Sequence, residues 1–80
     1  MQLTAIIWPE TLESGETVFV SHCPELDIAS QGDTIEEAEA MLQEAVEGFF
    51  EVADAAEIRR RLRTGAVIRS VRVDAPALAA

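Results

Sequence analysis

Residues 30–38 read Ser-Gln-Gly-Asp-Thr-Ile-Glu-Glu-Ala, and this stretch decides the fold. Its first half closes an alternating segment and its second half opens a helix. Thr34 stands three residues ahead of Glu37, the spacing of a capping box. In that motif the hydroxyl accepts from the Glu37 N–H while the Glu37 carboxylate reaches back to the Thr34 N–H. Asp33, Glu36 and Glu37 place negative charge at the positive end of the helix dipole, and Gly32 supplies the turn ahead of them. Working forward, Ile35, Ala38, Leu42, Ala45, Val46, Phe49 and Ala53 recur at spacings of three and four, which predicts one amphipathic helix over residues 35–53. Working backward, residues 26–31 alternate, with Leu26 and Ile28 to one side and Asp27 and Gln31 to the other, which predicts a short strand.

Further upstream, residues 17–22 (Thr-Val-Phe-Val-Ser-His) predict another strand, broken by Pro24. Residues 3–8 predict a first strand running into Pro9, which ends it or marks an edge. Ser14-Gly15 makes residues 10–16 a hairpin loop. Beyond the long helix, residues 54–63 predict a short second helix ending at Gly65, and residues 67–73 (Val-Ile-Arg-Ser-Val-Arg-Val) predict a fourth strand. Residues 74–80 read as a frayed tail. The expected fold is α+β in a single domain over residues 1–80: a three- to four-stranded antiparallel or mixed sheet, in the order β-β-β-α-β, with the long helix on one face. The first two strands carry apolar residues on both faces, more than one helix layer covers, so a homodimer or higher homo-oligomer is expected.

The net charge of −9 is unevenly distributed. Residues 1–58 contain no Lys or Arg, and all six basic residues are arginines at 59, 60, 61, 63, 69 and 72. An acidic body repels phosphate and attracts basic partners. The outer helix face, with Glu36, Glu39, Gln43, Glu47 and Glu51, has no cation four residues on, so local ion pairs do not compensate it. Such a face suits a basic partner or a plain solvated surface. The arginines suit either neutralisation of the chain's own acids or contact with nucleic acid through Arg59, Arg60, Arg61 and Arg63.

Catalytic chemistry is not expected. His22 adjoins Cys23, but neighbours on a strand point to opposite faces, so they do not readily make a nucleophile and its base. His and Cys are too few for a metal site, and Gly15, Gly32, Gly48 and Gly65 are isolated instead of forming a phosphate-cradling loop, so no cofactor is expected. A lone cysteine, no basic-then-apolar opening segment and no long apolar run predict a cytoplasmic protein without signal peptide or membrane span.

The run from His22-Cys23-Pro24-Glu25-Leu26 through Gln31-Gly32-Asp33-Thr34 to Glu36-Glu37-Ala38 resembles the signature of the HicB-like antitoxin family. The likeness extends over residues 2–53, where Leu42, Glu44-Ala45 and Phe50-Glu51 resemble the family's helix pattern. It implies a partial RNase H-like fold without nuclease activity. It also implies a partner, a small basic HicA-type toxin that cleaves mRNA and is neutralised when the antitoxin covers its active site. Asp27, Gln31, Asp33, Glu36 and Glu39 are the candidate contacts. Many members carry a C-terminal DNA-binding domain; residues 54–73 hold a basic segment with no recognisable helix-turn-helix, so the resemblance is to the short form and DNA binding is not predicted.

Overall fold

The computed structural model describes residues 1–77. A tight loop starts the fold: Leu12 N–H donates to Glu16 O (2.8 Å) and Gly15 N–H to Leu12 O (2.9 Å). Gly15 turns at φ +90, a conformation that glycine adopts without steric cost. The loop joins strand β1 (Ile6–Thr11) to β2 (Thr17–Cys23), and a second tight turn joins β2 to β3 (Ile28–Gly32). All pairing is antiparallel, in the order β1-β2-β3. β1 starts later than its sequence suggests and runs through Pro9 instead of stopping there. It is an edge strand, hydrogen-bonded on one side only, where proline is tolerated.

Helix α1 (Ile35–Val52) begins at Thr34, whose side chain accepts from Glu37 N–H at 3.0 Å. Half of the capping box is thus formed; the return bond from the Thr34 N–H to Glu37 is not among the described contacts. A second helix, α2 (Ala55–Arg61), is capped by Asp54, which accepts from Glu57 N–H at 2.8 Å. The architecture is therefore α+β, a three-stranded antiparallel sheet with two helices.

The register explains how α1 packs. Ser21 lies between Ile7 and Ser30, and Phe19 between Pro9 and Gly32, so these side chains share one face with Cys23 and Ile28. The face is lined with small residues where α1 crosses it. The fully buried Ser21 hydroxyl donates to Ala38 O at 2.8 Å, which satisfies it. Cys23, Leu26, Ala38 and Leu42 form the buried apolar core, and Leu3, Ile28, Val46, Phe49, Phe50 and Leu62 pack around it. No helix or strand among the described residues covers the other face of the sheet. Ile6 and Trp8 on β1, Val18 and Val20 on β2, and Ala29 and Gln31 on β3 line it, with Ile6 43% and Trp8 38% exposed.

Two expectations need correcting. Leu26 is not on a strand; it sits in the β2–β3 turn and points into the core, 1% exposed, because Asp27 takes a left-handed φ of +55. The fourth strand over residues 67–73 does not form, and the element order is β-β-β-α-α. Strand propensity needs a hydrogen-bonding neighbour before it becomes a strand. Among the described residues nothing pairs with the segment, and Val67, Ile68, Val71 and Val73 are 66–80% exposed. Three strands do not by themselves establish an RNase H-like arrangement. In the tail expected over residues 74–80, positions 74–77 carry no regular structure and 78–80 lie outside the described residues.

Candidate functional site

The core stripe of α1 faces the sheet through Ala38 and Leu42. At about 100° per residue, Glu36, Glu37, Glu44, Glu47 and Glu51 then fall within one arc on the opposite side. All five are exposed. Ion pairs among the described residues are His22–Asp27 and the contacts of Glu57 with Arg60 and Arg61, so none reaches this arc. A shallow depression lies along it, lined by Ala40, Gln43, Glu44, Glu47, Gly48 and Glu51. Gly48 is part of that lining, and no atom outside the helix's own backbone comes within 4 Å of where its Cβ would stand. A carboxylate-rimmed shelf of this kind offers acceptors and negative potential, which suits guanidinium and ammonium groups.

The five candidate contacts do not share one surface. Asp33 and Glu36 lie at the start of α1 and continue the acidic arc. Glu39 leans instead toward a groove on the helix side of the sheet, which it lines with Leu3 and Ala5. Gln31 is on the open face of the sheet, opposite Val20. Asp27 is in the β2–β3 turn, where it bonds His22 Nε2 at 2.9 Å. That bond, together with the nearby charges of His22, Arg63 and Arg61, holds the Asp27 carboxyl below its ordinary pKa.

Most of the arginine run is engaged within the fold. Arg61 Nη2 donates to Leu26 O at 2.8 Å, with its guanidinium 4.9 Å from the centre of the Phe49 ring. Arg63 Nη1 donates to Pro24 O at 3.0 Å and its N–H to Glu25 O at 2.8 Å. Arg60 pairs with Glu57. Arg59 is exposed with no ion pair among the described residues. The run latches α2 to the β2–β3 turn; it does not form a continuous cationic stripe.

Sequence reasoning missed Glu25. Its carboxylate accepts from the Thr4 N–H at 2.9 and 3.1 Å and from the Thr4 hydroxyl at 2.8 Å, tying the entry to β1 to the β2–β3 turn. Partial burial acts to raise its pKa, but the hydrogen bonds, led by that from the Thr4 hydroxyl, outweigh it and leave the carboxyl below its ordinary value. A carboxylate lowered in this way stabilises the fold above the ordinary carboxylate range and loses that contribution as pH falls through its folded value. Glu25→Gln is therefore expected to cost roughly 1–2 kcal/mol at pH 7, and the gap from the parent protein should narrow as pH falls below the ordinary carboxylate range. Urea midpoints across a pH series measure this; a gap that persists unchanged at low pH would contradict it.

His22 and Cys23 point to opposite faces of β2. Cys23 is buried, its Sγ 3.6 Å from Glu25 Oε1, and burial pushes its thiol above the ordinary pKa. A protonated, enclosed thiol with no imidazole beside it is not an activated nucleophile. Among the described residues, no group of three His, Cys, Asp or Glu side chains is placed to hold a metal ion, and no helix is long and apolar enough to cross a membrane. No family model, no curated protein and no solved structure matches the chain.

Proposed function

We propose that this chain is an antitoxin-type binding protein of the HicB-like kind, which neutralises a small basic HicA-type mRNA-cleaving toxin by covering its active site. The observation that carries the reading is the acidic arc of α1. Five exposed carboxylates (Glu36, Glu37, Glu44, Glu47 and Glu51) share one helix face and make no ion pair among the described residues. A surface that cleaves RNA must itself attract phosphate and therefore be cationic. A rigid row of carboxylates competes for that surface and speeds the encounter. The resemblance of residues 22–38 to the antitoxin signature supports the same reading. The alternative, a nucleic-acid-associated protein using Arg59, Arg60, Arg61 and Arg63, is less favoured because Arg61 and Arg63 spend their donors on backbone carbonyls of the β2–β3 turn.

Titration calorimetry against a purified, catalytically inactivated toxin of this type provides the test. Tight binding that weakens as salt is added is expected, because exposed charges are screened. Glu44→Gln/Glu47→Gln should loosen the complex by roughly tenfold at low salt and by less at high salt. No binding, or binding unaffected by the double substitution, would reject the acidic-arc mechanism.

A further inference from the structure

We infer that residues 66–73 of one copy dock, as a strand, in the groove between the β1 side of the sheet and α1 of a second copy, with the exchange made reciprocally. The segment has the chemistry of a strand and none of the contacts of one. Val67, Ile68, Val71 and Val73 are 66–80% exposed, and β-branched residues of this kind favour a pleated, half-buried surface. Residues 66–77 adopt no regular structure, although they follow a helix latched firmly to the β2–β3 turn.

The receiving site is on the same molecule's surface. Among the described residues β1 is hydrogen-bonded to β2 alone, so its outer edge presents unpaired backbone groups on either side of Pro9, which offers a carbonyl there but no N–H. Where the chain enters β1, on the helix side, a groove of about 430 Å³ lies between residues 1–5 and α1, with Leu3, Ala5, Val46 and Phe50 among its apolar lining and Glu39 and Glu47 among its polar lining. α1 packs chiefly over β2 and β3, which leaves this flank open. A strand added there would gain main-chain hydrogen bonds from the β1 edge and side-chain pockets from the groove.

The occupant's side chains match both walls. In a strand, Val67, Arg69, Val71 and Val73 share one face. Turned toward α1, that face fills the groove with valine, while Arg69 lies along the apolar wall and carries its guanidinium to Glu39 or Glu47. Ile68 and Arg72 then fall on the open face of the sheet, where β1 presents Ile6, Trp8 and Glu10. Arg69 and Arg72 are thereby brought against an acidic body, the segregation of charge seen along the chain. A second copy is favoured over a cis arrangement because the segment stands free of its own chain's groove, none of whose lining it supplies.

The inference does not rest on the antitoxin reading, although Glu47 serves both, and it is tested on the full chain alone through residues 67 and 71, which that reading does not use. Sedimentation velocity should show a dimer at micromolar concentration. Val67→Asp/Val71→Asp should weaken it by roughly 100-fold with the circular dichroism spectrum unchanged, since those residues are largely exposed in the monomer and belong to no helix or strand. A photo-crosslinking amino acid at position 71, analysed by mass spectrometry, should join two chains through residues 1–11 or α1. A monomer, a dimer indifferent to the valine substitutions, a crosslink within one chain, or one reaching only β3 would each overturn it.

Discussion

Gly32→Ala is expected to lower stability by about 3 kcal/mol and the melting temperature by roughly 10–20 °C. Gly32 ends β3 and is buried where the first turn of α1 crosses the sheet. A Cβ there would stand 2.6 Å from Ala38 N and 2.8 Å from Glu37 C. Both are backbone atoms of a helix, so no rotamer change relieves the overlap and α1 must move as a body. Moving it pulls Ala38 O away from the Ser21 hydroxyl, the only bond that the buried Ser21 side chain makes in the described structure. An unsatisfied buried hydroxyl costs a further 1–3 kcal/mol when the bond is lost outright. An 80-residue domain has on the order of 4–12 kcal/mol to lose, so the variant should sit near its unfolding limit at 37 °C. Thermal melting followed at 222 nm measures this, and a shift under 5 °C would mean that α1 has slack at the crossing.

Leu26→Ala should cost 2–5 kcal/mol, on the order of other fully buried leucines truncated to alanine. Leu26 is the largest of the fully buried side chains, and it hangs from a turn instead of a strand. The turn is held on both flanks, by Arg61 and Arg63 on its carbonyls and by Glu25 on Thr4. It therefore cannot collapse inward to refill the space, which places the expected loss in the upper half of that range. The control is Ile35→Ala, half exposed on the same helix stripe that Leu26 supports, with an expected loss under 1.5 kcal/mol. Guanidinium unfolding of the two variants side by side gives the comparison; equal losses would show that the turn relaxes.

Local signals were legible in the sequence wherever chemistry acts over a few residues. The Thr34 cap, the α1 stripe from Ala38 to Phe49, the Gly15 loop and the Asp54-capped second helix all depend on neighbours within about one turn of chain. Features that depend on distant partners were not. Pro9 is compatible with a strand only because that strand is an edge, a fact of sheet order. Leu26 matched an alternating pattern, yet the left-handed Asp27 made it a turn residue. Residues 67–73 had strand propensity and no neighbour. The acidic arc was visible as composition, but that Glu39 leaves it for the groove and Gln31 for the opposite face depends on which way the register runs. Glu25 and Thr4 are 21 residues apart, and no pattern announces their contact.

The latch between α2 and the β2–β3 turn differs from an ordinary ion pair in what it reads. Arg61 and Arg63 grip the carbonyls of Leu26 and Pro24, and the Arg63 amide grips that of Glu25. Every chain has carbonyls, so the latch recognises the path of the backbone and is indifferent to most side chains along it. Such a joint carries little information in the turn's own letters beyond what bends it. Apart from Glu25 and Leu26, whose side chains have partners of their own, those letters can drift while the two arginines hold, and a lost arginine has no counterpart mutation in the turn that could restore it.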